Sequence, residues 1–329
     1  MSRYLSVFVG LLIALVGLQN CQPINGQVEQ EGNKHEFAIP DANSKEIDAL
    51  VFEQTLQDAE KGDADAQYLL AVWFMDGKSG ERDPQKAAQW MRKAASQGHA
   101  GSQFYMGHYY LNGMEVIKKD EQQAFEWFRK AAEQGEPTSQ MNLAQCYQKG
   151  VGVKEDQVKA FQWFRKAAEQ GVMLAQRQVG YFYSLGRGVE QDLQEGERWI
   201  RKAAKQGDAT AQHDIGHIYY EGKVIERDFS EAFHWFKKAA QQGHAIAQFK
   251  LGAMYREGTG VEKNNQTAVH WFRKSAMQNF PQAQVNLGSM YLNGFGVEKS
   301  KQEAASWYRK AAQQGFEPAN RALKQVTGD

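Results

Sequence analysis

The sequence predicts an all-α protein, an α/α solenoid of seven helix-turn-helix repeats of about 36 residues with a capping helix at each end. One tryptophan per repeat is the first observation, at Trp90, Trp127, Trp163, Trp199, Trp235, Trp271 and Trp307, spaced by 37 residues once and by 36 residues thereafter. Such a ladder is typical of stacked repeats, because each unit buries the same aromatic residue against its neighbour. Helix-capping residues and small apolar residues recur at the same period.

The N-terminal segment has the pattern of an export signal. Arg3 precedes an uncharged, apolar run from Tyr4 to Leu18. As a helix this run would span roughly 22 Å, which is short of a bilayer core of about 30 Å. We therefore interpret residues 1–20 as a secretory signal peptide, with an uncleaved membrane anchor as the alternative.

Cys21 follows this segment and raises the question of lipid attachment. Leu18 and Cys21 have the spacing of a bacterial lipidation site, but Gln19 and Asn20 stand where small residues are usual. Ordinary cleavage between residues 20 and 27 is the expected outcome, and lipidation of Cys21 is the alternative.

The chain then changes from a polar segment to a periodic one. Residues 21–44 are polar and aperiodic, which predicts a flexible linker. From residue 45 to 61 apolar residues recur at helical spacing and predict a capping helix that ends at Gly62. The repeat array is expected to occupy residues 45–325, with a final half-repeat that begins at Phe316.

Helix ends are predicted by local chemistry in every repeat. In repeat six we expect a first helix at Ala245–Glu257 and a second helix at 266–278. Good N-cap residues precede each second helix: Asp83, Asp120, Asp156, Asp192, Asp228, Asn264 and Ser300. Residues that tolerate a left-handed backbone follow it: Gly98, Gly135, Gly171, Gly207, Gly243, Asn279 and Gly315.

Three recurring motifs carry a family resemblance. They are Lys-Ala-Ala-x-Gln-Gly (Lys166 to Gly171), the Ala-x-x-Trp before it, and the alanine–glutamine pair that opens the first helix (Ala211 and Gln212). The array resembles the Sel1-like repeat family, relatives of tetratricopeptide repeats. The resemblance implies a right-handed superhelix and a role in protein–protein interaction, often in the bacterial envelope, in secretion or in host contact.

Composition argues against nucleic acid as a partner. The chain has 39 basic and 39 acidic residues, and no basic run stands out. Phosphate binding requires clustered lysine and arginine side chains. We therefore expect no nucleic-acid partner, and contact with a membrane only through an N-terminal lipid or an uncleaved anchor.

Few residues have the pattern of a chemical site. His213, His217 and Glu221 are spaced to share one helix face, as metal ligands can be, but the matching positions of other repeats are variable. Cys146 occupies a position that is otherwise large and apolar, which predicts a buried and inert thiol. We expect no catalytic residue, no metal and no cofactor.

The most individual surface lies on the first helices. Residues one, five and eight positions after the repeated glutamine share a face, and they vary between repeats while framework positions stay constant. The candidate binding residues are Phe104, His108, Met141, Gln145, Arg177, Tyr181, His213, His217, Phe249 and Arg256. Packing between repeats is the alternative role for the apolar members.

Within this face Arg177 and Tyr181 are expected to contribute to binding, since they lie in the fourth of seven repeats, where a groove surrounds its ligand most fully. They are expected to be dispensable for folding, because surface substitutions usually change stability little. Glu197 and Arg198 on the second helix are expected to point outward.

The sequence thus predicts a non-enzymatic, exported scaffold that binds a protein or peptide in a concave groove, in a bacterial envelope. Two alternatives stay open: a secreted factor that contacts host proteins through the same groove, and a hydrolase-type enzyme. The predicted location is periplasmic or secreted, with a membrane-anchored lipoprotein as the alternative.

Overall fold

The computed structural model describes residues 44–78 and 80–328, and there the chain is all-α, with one isolated β-bridge between Met114 and Ile117. The described residues form sixteen helices. They are α1 (Ser44–Glu60), α2 (Ala64–Asp76), α3 (Pro84–Ser96), α4 (Ala100–Asn112), α5 (Glu121–Glu133), α6 (Pro137–Lys149), α7 (Gln157–Glu169), α8 (Met173–Leu185), α9 (Leu193–Lys205), α10 (Ala209–Glu221), α11 (Phe229–Gln241), α12 (Ala245–Glu257), α13 (Asn265–Met277), α14 (Pro281–Asn293), α15 (Lys301–Gln313) and α16 (Glu317–Thr327).

Seven helix pairs follow α1, from α2–α3 to α14–α15, and α16 is the half-repeat. The even-numbered helices from α2 to α14 are the first helices of the repeats and the odd-numbered helices from α3 to α15 are the second. Each second helix packs against its own first helix and against the first helix of the next repeat. The fold is therefore the predicted α-solenoid.

Part of the sequence prediction lies outside the described residues. This applies to the signal peptide (residues 1–20), to Cys21 and to the linker up to residue 43. No helix in the described part of the chain is both long enough and apolar enough to span a membrane.

The predicted caps are confirmed in all seven repeats. Each predicted N-cap side chain accepts a hydrogen bond from a backbone N–H of the first turn, at 2.8–3.2 Å. Asn279 takes a left-handed backbone with φ 63°, in place of the glycine of the other repeats. The second helix of repeat six begins at Asn265, one residue earlier than predicted, because the helix starts directly after its cap.

The tryptophans are less buried than the ladder predicted. Trp199 and Trp235 are buried, but the other five are half-buried. The residue after each tryptophan is buried instead: Met91, Phe128, Phe164, Ile200, Phe236, Phe272 and Tyr308. A lysine three residues after each tryptophan lies over its ring, with 3.6–4.9 Å from Nζ to the ring centroid. The Lys-Ala-Ala motif therefore covers the tryptophan by a cation–π contact.

Glutamines form a ladder through the array. In repeat four the Nε2 of Gln176 donates to the carbonyl of Ala168, and its Oε1 accepts from the Nε2 of Gln206 at 2.8 Å. The same two contacts recur with Gln67, Gln103, Gln140, Gln212, Gln248 and Gln284. Because a buried amide must be hydrogen-bonded, this explains why both glutamines are fixed positions of the repeat.

Candidate binding face on the first helices

The variable residues of the first helices form a half-buried surface. We call this surface the first-helix face and define it by the positions one, five and eight after the repeated glutamine. All ten predicted binding residues are intermediate in exposure, neither fully buried nor fully exposed. The face is therefore partly occupied by contacts between repeats, and these contacts decide which residues are available to a partner.

The position directly after the glutamine contacts the N-cap residue of the next first helix. Arg177 Nη1 lies 3.0 Å from Asp208 Oδ1, which caps α10. Aromatic rings pair in the same way at other joints, with centroid distances of 4.8 Å for Tyr68–His99, 4.9 Å for His213–His244 and 5.4 Å for Phe249–Phe280. Each of these joints therefore has its own matched pair.

A second contact joins the fifth position to the next repeat. The hydroxyl of Tyr181 donates to Asp214 Oδ2 at 2.5 Å, and His108 Nε2 lies 3.2 Å from Asn142 Nδ2. Asp214 and Asn142 lie two positions after their glutamine, where the sequence is as variable as at the predicted positions. The variability at this position could have identified Asp214 and Asn142 from the sequence, but the predicted binding face did not include them.

These contacts gather one cluster of ionisable residues in the middle of the array. The ionisable cluster comprises Arg177, Tyr181, Asp208, His213, Asp214 and His244. His213 Nδ1 lies 3.0 Å from Asp214 Oδ1, so this carboxylate accepts from both Tyr181 and His213. The Nε of Arg177 and the Nε2 of His213 are buried and have no hydrogen-bond partner. The cluster lies in repeats four and five, reaches the joint with repeat six and is unlike the other joints.

Burial governs the electrostatics of this region. It raises the pKa of Tyr181 above its ordinary value, and the hydrogen bond to Asp214 adds to the effect. Burial also lowers the pKa of His244, and the nearby His213 adds to this effect. Burial lowers the pKa of His217 in the same way, and here Lys250 adds to the effect. The neutral forms of both histidines are therefore favoured at neutral pH.

The other predicted residues lie away from this cluster. Phe104 packs on Phe128, with ring centroids 6.4 Å apart, and Phe249 packs on Phe272, with ring centroids 5.9 Å apart. Both residues therefore contribute to packing. Met141 packs against the core of repeats three and four. Gln145 is half-buried. Arg256 lies over the Phe272 ring, 5.8 Å from its centroid, and also donates to Asn286 of the next repeat.

Two expectations about individual charges are wrong. The side chain of Arg177 is only 19% exposed and is paired with the 4% exposed side chain of Asp208, so Arg177 contributes to folding. Glu197 is buried and forms an ion pair with Arg201, whereas Arg198 is exposed as predicted. Asp208 lies 31 residues after Arg177, which helical periodicity cannot identify, whereas Arg201 lies four residues after Glu197 on the same helix, a spacing that helical periodicity does pair.

The remaining chemical candidates have structural surroundings. Cys146 is buried as predicted, and this burial raises the pKa of its thiol to about 11. His217 Nε2 lies 3.9 Å from Glu221 Oε1. In the described part of the chain no group of three or more histidine, cysteine or acidic side chains is placed to hold a metal ion.

Comparison with known proteins identifies the repeat unit. A family model described as the Sel1 repeat matches residues 64–99, 100–136, 137–172, 174–208, 209–244, 245–280 and 281–316. A comparison with curated proteins finds no match.

Two solved structures are similar over most of the chain. A protective antigen of uropathogenic Escherichia coli strains that displays an SLR fold is 36% identical with a TM-score of 0.80, over 84% of this chain and 59% of that chain. A Sel1 repeat protein from Oxalobacter formigenes is 32% identical with a TM-score of 0.69, over 87% of this chain and 82% of that chain. The chain thus matches 59% of the length of the E. coli protein.

Proposed function

The chain belongs to the Sel1 repeat family, whose solenoids are typically scaffolds for protein–protein interaction, and from this premise we propose an exported, non-enzymatic scaffold that binds a protein segment on its first-helix face. The ionisable cluster is the observation that carries the proposal. The caps, the glutamine ladder and the tryptophan–lysine contacts repeat from unit to unit, whereas this cluster occurs at one place among the residues that the structure describes. A feature that the repeat itself does not require is the natural place for specificity.

The chemistry of the cluster suits an interface. Interface anchors are enriched in tyrosine and arginine and are surrounded by groups that exclude water. Tyr181 is held by Asp214, and Arg177 by Asp208, so both side chains are ordered before a partner binds. Side chains that are already ordered lose less conformational entropy on binding. The cluster therefore supports a pre-organised anchor point for a polar or aromatic side chain of a partner.

We extend the proposal to location. The apolar run of residues 4–18 supports export, and a bacterial envelope is the setting we favour. A secreted factor that contacts host proteins is the alternative. The similar E. coli protein is a protective antigen, and this supports our proposal of a surface-exposed or secreted role for this chain.

The first test of the proposed face uses substitutions that spare the buried ion pair. Tyr181→Phe removes one hydroxyl, and His217→Ala removes a side chain that is 45% exposed. We expect the free energy of unfolding of the double variant to lie within about 1 kcal/mol of the wild-type value. A partner captured by the wild-type protein should bind at least roughly 30-fold more weakly, because an interface anchor contributes about 2 kcal/mol or more. Scanning calorimetry of the variant measures its stability, and titration calorimetry with the purified partner measures its affinity.

The matched control is Arg198→Ala. The side chain of Arg198 is 68% exposed on the second helix α9. This variant should bind the partner like the wild type. Loss of binding in Arg198→Ala with retention in the double variant would place the binding surface on the second helices and reject the first-helix face.

Export is tested separately. Leu12→Arg places a charge in the middle of the apolar run, which costs about 2.5–3.5 kcal/mol on insertion scales. We expect the variant to stay in the cytoplasm with its N-terminus uncleaved, as measured by fractionation and intact mass. Unchanged export would contradict a signal peptide. Cys21→Ser should change the mass of the exported protein by more than the substitution itself only if lipid is attached.

A further inference from the structure

The imidazole of His244 caps the N-terminus of helix α12. Its Nδ1 accepts a hydrogen bond from the backbone N–H of Ala247, 3.2 Å away. A neutral imidazole carries one ring proton, so the accepting Nδ1 is unprotonated and the proton is on Nε2. A second proton would convert Nδ1 from an acceptor into a donor. The cap therefore exists only while His244 is neutral.

His213 lies directly on this cap. The two imidazole rings are stacked, with centroids 4.9 Å apart and planes inclined by 23°. A carboxylate only accepts hydrogen bonds, so the proton of His213 is on Nδ1, which faces Asp214. The other nitrogen, Nε2, is buried without a partner. The His213 imidazole therefore gives no compensation to a charged ring stacked on it, and it disfavours the charged form of His244.

The neighbouring charges give only partial compensation. Arg177 on α8 and His213 on α10 disfavour the charged form of His244, while Asp208 and Asp214 favour it. His217, one turn along α10, lies 6.2 Å from His213 between ring centroids, and its pKa is lowered by burial and by Lys250. Asp208 is already paired with Arg177, and Asp214 already accepts from Tyr181 and His213. Hence neither carboxylate is free to neutralise a charged His244.

We propose that the joint between repeats five and six is an acid-labile hinge: proton uptake by His244 removes the cap of α12, separates its ring from the stacked ring of His213 and opens α12 locally from α10. The hinge needs no partner, so it stands independently of the proposed function.

The direction of the pH effect follows from linkage. Burial lowers the pKa of His244 below the ordinary value of about 6.5. The unfolded joint therefore takes up protons at a higher pH than the folded joint does. The neutral cap therefore contributes its full stabilisation to the joint above about pH 6.5. This stabilisation is lost as the pH falls through the lowered pKa that His244 has in the folded protein.

Another joint of the same array provides an internal comparison. His99 caps α4 in the same way, since its Nδ1 accepts from the backbone N–H of Ser102 at 3.0 Å. However, its Nε2 lies 3.4 Å from Asp65 Oδ1, so a protonated His99 gains an ion pair. Burial lowers the pKa of His99 as well, but Asp65 and Asp63 oppose this effect, and the rings of His99 and Tyr68 are tilted by 36°. The joint at His99 should therefore resist acid better than the joint at His244.

The test is amide hydrogen exchange of the whole chain between pH 7.5 and pH 5.0, corrected for intrinsic exchange. We expect protection at the start of α12 to fall by roughly tenfold, which corresponds to loss of a helix cap. The equivalent segments of α10, capped by Asp208, and of α4 should change less. In His244→Asn a non-titrating cap replaces the imidazole, as Asn264 does for α13. That variant should keep its protection at pH 5.0.

His213→Phe provides a second arm, because phenylalanine occupies this position in repeat six as Phe249. It removes the imidazole that disfavours the charged form of His244 while keeping an aromatic ring on the cap, and the acid effect should shrink. Equal loss of protection in wild type and His244→Asn would overturn the hinge, as would a loss spread evenly over α4, α10 and α12. If His244→Asn does not fold at pH 7.5, the comparison of the three segments in the wild type decides the question by itself.

Discussion

Phe164→Ala is expected to lower the free energy of unfolding by about 3–5 kcal/mol, more than any other single truncation of repeat three. Phe164 is fully buried on α7 and packs on Phe182 of the next repeat, with ring centroids 5.6 Å apart. Its removal leaves a cavity between two repeats, which the surrounding helices can fill only in part. Urea denaturation followed by circular dichroism measures the loss.

Trp163→Ala is the matched control, because it removes the larger neighbouring ring. Trp163 is only half-buried, and Lys166 covers it from the solvent side at 3.8 Å. The expected loss is about 1–2 kcal/mol. A larger loss for Trp163→Ala than for Phe164→Ala would show that the tryptophan ladder, and not the residue after it, forms the centre of the core.

Gly188→Ala is expected to destabilise the array by about 2–5 kcal/mol. Gly188 is the second glycine of a Gly-x-Gly loop and has a left-handed backbone, with φ 62°. A Cβ atom there would lie 2.1 Å from the carbonyl oxygen of Gln157, in the preceding repeat. The substitution therefore combines backbone strain with a clash against another backbone. Thermal unfolding at equal protein concentration measures the effect.

Gly171→Ala separates the two causes. Gly171 also has a positive φ, 90°, but a Cβ atom there would meet nothing within 4 Å. Only the strain of a left-handed alanine should remain, about 1–2 kcal/mol. Similar losses at the two positions would mean that the contact between Gly188 and the preceding repeat can relax, and that it does not fix how the repeats pack.

Most of the fold could be predicted because helix ends are determined by local chemistry. Asp156 before α7 caps that helix, and Asn279 replaces glycine where a left-handed residue is needed. Depth of burial could not be predicted in the same way. Trp163 and Phe164 are adjacent on one helix, and a period of 3.6 residues does not decide which of two neighbouring aromatic residues points into the core.

The candidate site was predictable as a face but not as a network. The positions of Arg177, Tyr181 and His213 follow from the repeat, and the structure brings these three together. Their partners do not follow from it: Asp208 and Asp214 lie 31 and 33 residues after the side chains that they bind. Only the stacking of one repeat on the next shows that Arg177 is committed to an ion pair and that Tyr181 is better suited to a test of binding.

The central claim is that contacts shared by all repeats build the solenoid, while the first helices around the ionisable cluster bind the partner. Amide hydrogen exchange of the whole chain, with and without its purified partner, tests this claim most directly. We expect added protection on α8, α10 and α12 and little change on α7, α9 and α11. Protection confined to the second helices, with α8 and α10 unchanged, would contradict the account.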